Sequence, residues 1–113
     1  MRLWIDDLRD PADYGYPDAI WLKNEAEYLV FLAECLMDDL IDDISDIHFD
    51  NDLGEVREGY DIFASLEEDL FHGNFKGLRN VYVHTSNPSA AQEFMLAKDA
   101  MAWYGITIIR KHY

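Results

Sequence analysis

Apolar positions in this chain fall into short runs separated by acids, prolines and glycines. "RLWI" (2–5), "IWLK" (20–23), "IHF" (47–49), "VYVHTS" (81–86) and "ITIIR" (106–110) are β-prone runs of this kind, and each predicts a strand. Three intervening stretches carry helical spacing instead. Residues 25–37 place Ala26, Leu29, Val30, Ala33 and Met37 on one face, with Asn24 as N-cap and Glu25 and Glu27 in the first turn, where acids suit the helix dipole. From about Gly59, Ile62, Phe63, Leu66 and Leu70 form a second amphipathic stripe. Asn87-Pro88 opens a third helix, which carries Ala91, Phe94, Met95, Met101 and Ala102 and stops at Gly105. Residues 8–19, with two prolines and a glycine, read as loop, and the Asp-rich stretch 38–46 as a solvated connection.

The order is strand, loop, strand, then helix and strand three times over. Such alternation predicts a parallel sheet covered by helices through right-handed crossovers. Nothing between the first two strands reads as a helix, so that crossover must be short or irregular. A ligand site is expected outside the C-terminal ends of the strands, where the winding reverses.

Composition narrows the function. A chain of 113 residues, half of them apolar, supports one core, and residues 1–113 read as a single domain. Its net charge of −14 makes it a poor general binder of nucleic acid, so no duplex binding is expected. A strong electrostatic partner would be a cation or a basic protein surface. Cys35, the lone cysteine, excludes an internal disulfide and a cysteine zinc site; within "FLAECLM" it reads as a buried structural thiol. The start "MRLWIDD" is no signal peptide, and no apolar run approaches the ~20 residues of a membrane span. A cytoplasmic protein is expected.

The strand ends carry the candidate chemistry. The first strand ends in Asp6-Asp7, the third in "DND" with Asp50 and Asp52, the fourth in Thr85-Ser86. If these strands are neighbours, the carboxylates converge and repel unless a cation or proton neutralises them. Mg²⁺ suits such a set, being a hard ion that takes oxygen ligands and keeps waters for a phosphate. The Thr85 hydroxyl and the backbone N–H groups at the Asn87-Pro88 helix start can hold phosphate oxygens. The chemistry available is attack by Asp on phosphorus, or metal activation of water.

"RLWIDD", "HFDNDLG…GYDIF" and "VYVHTSNP" together resemble the receiver domains of two-component signalling. The match is closer to the cyclic-phosphate processing receiver domains, whose pattern joins Asp-Asp after strand one, Asp-His-Asp-Leu-Gly, and His-Ser-x-Asn-Pro. Here these read Asp6-Asp7, "DNDLG" (50–54) and "HTSNP" (84–88), with Gly59 and Tyr60 following the second motif. The resemblance implies an α/β, receiver-like (flavodoxin-like) three-layer sandwich. It has a five-stranded parallel sheet, here with the first helix reduced and the last missing. It also implies Mg²⁺ at Asp6, Asp7 and Asp50, with Asp52 as a further ligand or only a turn residue. Asp50 matches the phosphoacceptor, Thr85 the hydroxyl that contacts phosphoryl oxygens, and Lys111, after strand five, the lysine that does the same, with its neighbour Arg110 as the competing cation. His84 either faces the site or is hydrogen-bonded inside the sheet, and the motif favours the site. Asn51 stands where the pattern has His, which removes a candidate acid or base.

Several residues carry plainer expectations. His48, in a buried strand, reads as structural, while His72 and His112 read as surface residues. Trp4, Tyr14, Tyr16 and Trp21 read as core and loop packing, with nucleobase stacking as the alternative. Three functions follow from this set. One is Mg²⁺-dependent phosphoester chemistry on a small phosphate compound, such as a cyclic phosphate of a nucleotide or an RNA end. Another is a non-catalytic acidic module that binds a basic protein surface, as an inhibitor or nucleic-acid mimic. The third is phosphoacceptor signalling through Asp50.

Overall fold

A computed structural model describes residues 1–50, 59–84 and 88–111. The strands are β1 (Arg2–Ile5), β2 (Ile20–Leu22), β3 (Asp46–Asp50), β4 (Asn80–His84) and β5 (Thr107–Lys111); the helices are α1 (Glu25–Met37), α2 (Gly59–Phe71), α3 (Pro88–Met95) and α4 (Lys98–Trp103). All strand pairs are parallel, in the order β2-β1-β3-β4-β5. This is the α/β, receiver-like (flavodoxin-like) architecture expected from the sequence. The winding reverses between β1 and β3, so the C-terminal ends of these two strands flank the switch point.

The β1–β2 crossover is irregular, as expected, but contains one 3-10 turn (Pro11–Tyr14). Asp10 caps it by accepting a hydrogen bond from the Ala12 N–H at 2.9 Å, and Pro11 sits at the first helical position, where a missing N–H costs nothing. A second 3-10 turn (Ile41–Asp43) interrupts the acidic connection.

Leu3, Ile5, Ile47, Phe49, Val81, Val83 and Ile108 point to one face of the sheet. There they join Tyr28, Leu32 and Cys35 of α1, Phe63, Leu66 and Leu70 of α2, Phe94 of α3 and Met101 of α4 in a single apolar core. The four helices among the described residues therefore cover the same face, as right-handed crossovers moving in one direction require. The opposite face is covered by the irregular crossover: Tyr14 and Tyr16 lie against Trp4, with ring centroids 5.7 and 5.9 Å away. Among the described residues no helix is long and apolar enough to cross a membrane.

Several expectations need correction. The buried face of α1 is Tyr28, Leu32 and Cys35, while Leu29, Val30 and Met37 are exposed. The helix is apolar on most sides, and the bulkier Tyr28–Leu32 face fills the space above the sheet better than one built on Ala26 and Ala33. The cap itself is as expected, with the Glu27 N–H donating to Asn24 Oδ1 at 2.9 Å. The third helix is two helices, α3 and α4. The Ala97 N–H bonds to the Phe94 carbonyl at 3.2 Å, a tight i−3 turn that redirects the chain before α4, and Ala102 is exposed. Gly105, at φ 76°, ends α4 where a side chain would be strained. Lys111 does not follow β5; it is the last residue of that strand.

Candidate functional site

Strand alternation sends Asp6, Asp50, His84 and Lys111 toward the face opposite the helices. Register aligns them along the C-terminal edge: Ile5 pairs with Phe49, so Asp6 follows beside Asp50, Asp50 pairs with His84, and His84 with Lys111. Four residues singled out from the sequence thus form one cross-strand row. Asp7 joins them: one carboxylate oxygen each from Asp6, Asp7 and Asp50 lie within 4.8 Å of one another. Thr85 and Asp52, together with Asn51 and Asn87, lie outside the described residues.

The loop after β1 is folded back by Asp6 itself. Its carboxylate, fully buried, accepts hydrogen bonds from the backbone N–H groups of Leu8 (2.9 Å) and Arg9 (3.0 Å). That turn brings the Arg9 guanidinium onto the acids, 3.2 Å from Asp6 Oδ2 and 3.8 Å from Asp50 Oδ2. Burial works against the charge on Arg9, but the hydrogen bond and charge of Asp6, helped by Asp50 and Tyr14, outweigh it and raise its pKa. Two tryptophans pin the same loop. Trp4 Nε1 donates to the Arg9 carbonyl at 2.9 Å, and Trp21 Nε1 to the Asp6 carbonyl at 2.7 Å. Trp4 is completely buried, which places it with packing rather than base stacking. Trp21 is half-buried and carries the Lys23 ammonium 4.3 Å above its ring.

Behind the acids lies a buried histidine pair. His48 Nδ1 is 2.7 Å from His84 Nε2, and the Arg2 guanidinium contacts the other nitrogen of His48. Burial holds both imidazoles neutral. It lowers the His48 pKa to about 2, with His84, Arg2 and Lys111 adding to the effect, and the His84 pKa to about 3, with Arg9 and Lys111 adding.

Arg9 was missed by sequence reading, because a lone arginine in a proline-rich loop carries no periodic signal. The available clue was its spacing, three residues after an aspartate at a strand end, where an Asx turn folds the chain back.

A five-stranded parallel sheet with an acid cluster at its switch point defines a receiver-type domain. The chain matches the family of cyclic-phosphate processing receiver domains over residues 1–100, and it belongs to that family. No curated protein and no solved structure matches it. The donor set suits the cation that receiver domains commonly take: three carboxylates offer hard oxygen ligands only, and their charge has already drawn in a guanidinium.

Proposed function

We propose that this chain holds Mg²⁺ on Asp6, Asp7 and Asp50 and handles a small phosphate compound there, of the class of cyclic phosphates of nucleotides or RNA ends. The observation that carries this reading is the convergence of three carboxylates within 4.8 Å at the switch point of a sheet from this family. A bound Mg²⁺ would offset their repulsion and supply Lewis-acid polarisation of a phosphate oxygen. Asp50 is the central residue, and Lys111 and Thr85 are proposed as phosphate contacts, with Asp52 as a further ligand. His84 shares the row with Asp50 and Lys111 and completes the catalytic set.

Arg9 supports a second reading, in which the acids are neutralised from within and the domain is a non-catalytic module that binds a basic protein surface. Its guanidinium sits between Asp6 and Asp50, where a cation is wanted. The two readings differ in one titration. Trp4 and Trp21 are bonded to the loop that carries Asp6 and Arg9, so their fluorescence reports on the site. Under the Mg²⁺ reading the wild type shows saturable binding, Asp50→Asn loses it, and Arg9→Gln, freed of an internal competitor, binds roughly tenfold tighter, as removal of ~1.4 kcal/mol of competition would give. If only Arg9→Gln responds, the internally neutralised module is the correct description.

A further inference from the structure

The histidine pair has a direction, and Arg2 sets it. A guanidinium carries donors and no acceptor, so the His48 nitrogen that Arg2 contacts, Nε2, must offer a lone pair. A neutral imidazole with a bare Nε2 carries its proton on Nδ1. His48 Nδ1 faces His84 Nε2 at 2.7 Å, so His48 donates and His84 accepts. His84 in turn keeps its proton on Nδ1, the nitrogen away from His48.

The rings have little room to depart from this arrangement. His48 stacks on Tyr82 with centroids 4.2 Å apart and planes 8° from parallel, and lies 4.8 Å from Trp4. His84 meets Trp4 edge-on at 4.5 Å. Arg2 is fixed by Asp46 at 3.6 Å and by the Tyr16 ring beneath its guanidinium at 4.2 Å. The order Asp46, Arg2, His48, His84 runs along the sheet face from the N-terminal ends of β1 and β3 to the row that holds Asp50 and Lys111.

We propose that Arg2 and His48 are positioning residues that hold His84 as an Nδ1–H donor, so that His84 gives a hydrogen bond to an oxygen of the bound phosphate and does not act as its base. This rests on the phosphate reading above. The lone pair that a base would need, on Nε2, is already engaged by His48. The chain does not relay protons either, because its far end is an arginine that releases none. His84 therefore stabilises charge on phosphate oxygen by a fixed dipole, in the manner of an oxyanion-stabilising donor.

The test is long-range ¹H–¹⁵N spectroscopy of the uniformly labelled chain, which distinguishes protonated from bare imidazole nitrogens. Both His48 and His84 should carry the proton on Nδ1 at neutral pH. Arg2→Met should abolish that single pattern, and Arg2→Lys, again a pure donor, should restore it. Inorganic phosphate with Mg²⁺ should then move the His84 Nδ1–H resonance, with about tenfold weaker binding in Arg2→Met and recovery in Arg2→Lys. A proton on His84 Nε2, or a pattern indifferent to Arg2→Met, overturns the assignment. Shifts at Lys111 with His84 unmoved overturn the donor role alone. No shift anywhere on adding phosphate overturns the phosphate reading, and with it the ligand named here, while the tautomer result is decided separately.

Discussion

On the helix-covered face, β1, β3 and β4 present Leu3, Ile5, Ile47, Phe49, Val81 and Val83, all buried and apolar. On the other face the same strands present Arg2, Trp4, His48, Asp50, Tyr82 and His84, with Asp6 just past the end of β1. Burial reaches deep on both sides: Trp4, Asp6 and His48 are as inaccessible as Phe49, while Arg2 and Tyr82 are partly exposed. What differs is how burial is compensated. The helical face gains from transfer of apolar surface and close packing, which need no particular partner. The other face buries groups that each need a specific hydrogen bond, and the bonds form only in this register. A domain can thus be divided across the thickness of one sheet, with apolar packing on one side and polar pairing on the other.

That division is open to direct attack. Phe49 packs against Phe63 and Phe94, with centroids 5.8 and 6.2 Å away, so Phe49→Ala should cost about 4 kcal/mol in urea unfolding. The loss should be nearly the same at pH 7 and pH 5. Acid tests the opposite face. His48 and His84 are held neutral in the fold but titrate near their ordinary value when unfolded, so the unfolded chain binds more protons below about pH 6.5. Their contribution is fully present above that pH and is lost as pH falls, by about 1.4 kcal/mol per pH unit for each histidine. The expected pair effect is therefore roughly 2.7 kcal/mol per unit on the acid limb, halved in a His48→Asn variant. A wild-type urea midpoint that does not change from pH 7 to pH 5 would contradict it.

The smallest effect sharpens the comparison most. Trp4→Phe keeps one aromatic ring but removes the bond to the Arg9 carbonyl and leaves a small cavity, at a combined cost of about 2 kcal/mol. Its consequence should be confined to the second face. Amide exchange at Leu8 and Arg9 should quicken, while amides of β3 and β4 keep their protection.

Legibility in the sequence followed the same line. The strands were readable because each is a compact β-prone run closed by polar residues, and the acids because they stand where such runs stop. The face that α1 buries was not readable, since Leu29, Val30 and Met37 compete with Tyr28 and Leu32 around a helix apolar on most sides. Nor was the His48–His84 bond, which joins residues 36 positions apart and exists only because Asp50 pairs with His84. Periodicity reports which side of an element is greasy; partner choice between polar groups depends on register, which no local window contains.

The segment from Asp6 to Ala19 does two jobs with one piece of chain. It roofs the sheet through Tyr14 and Tyr16, and its first turn is the wall of the acid site. Asp6 joins the two jobs, since its carboxylate holds the turn and its carbonyl accepts from the Trp21 N–H. A ligand held in the acid site would bear on a segment that reaches back to Tyr16, whose ring lies under the Arg2 guanidinium. A partner that grips this roof would tune the site without ever touching an aspartate.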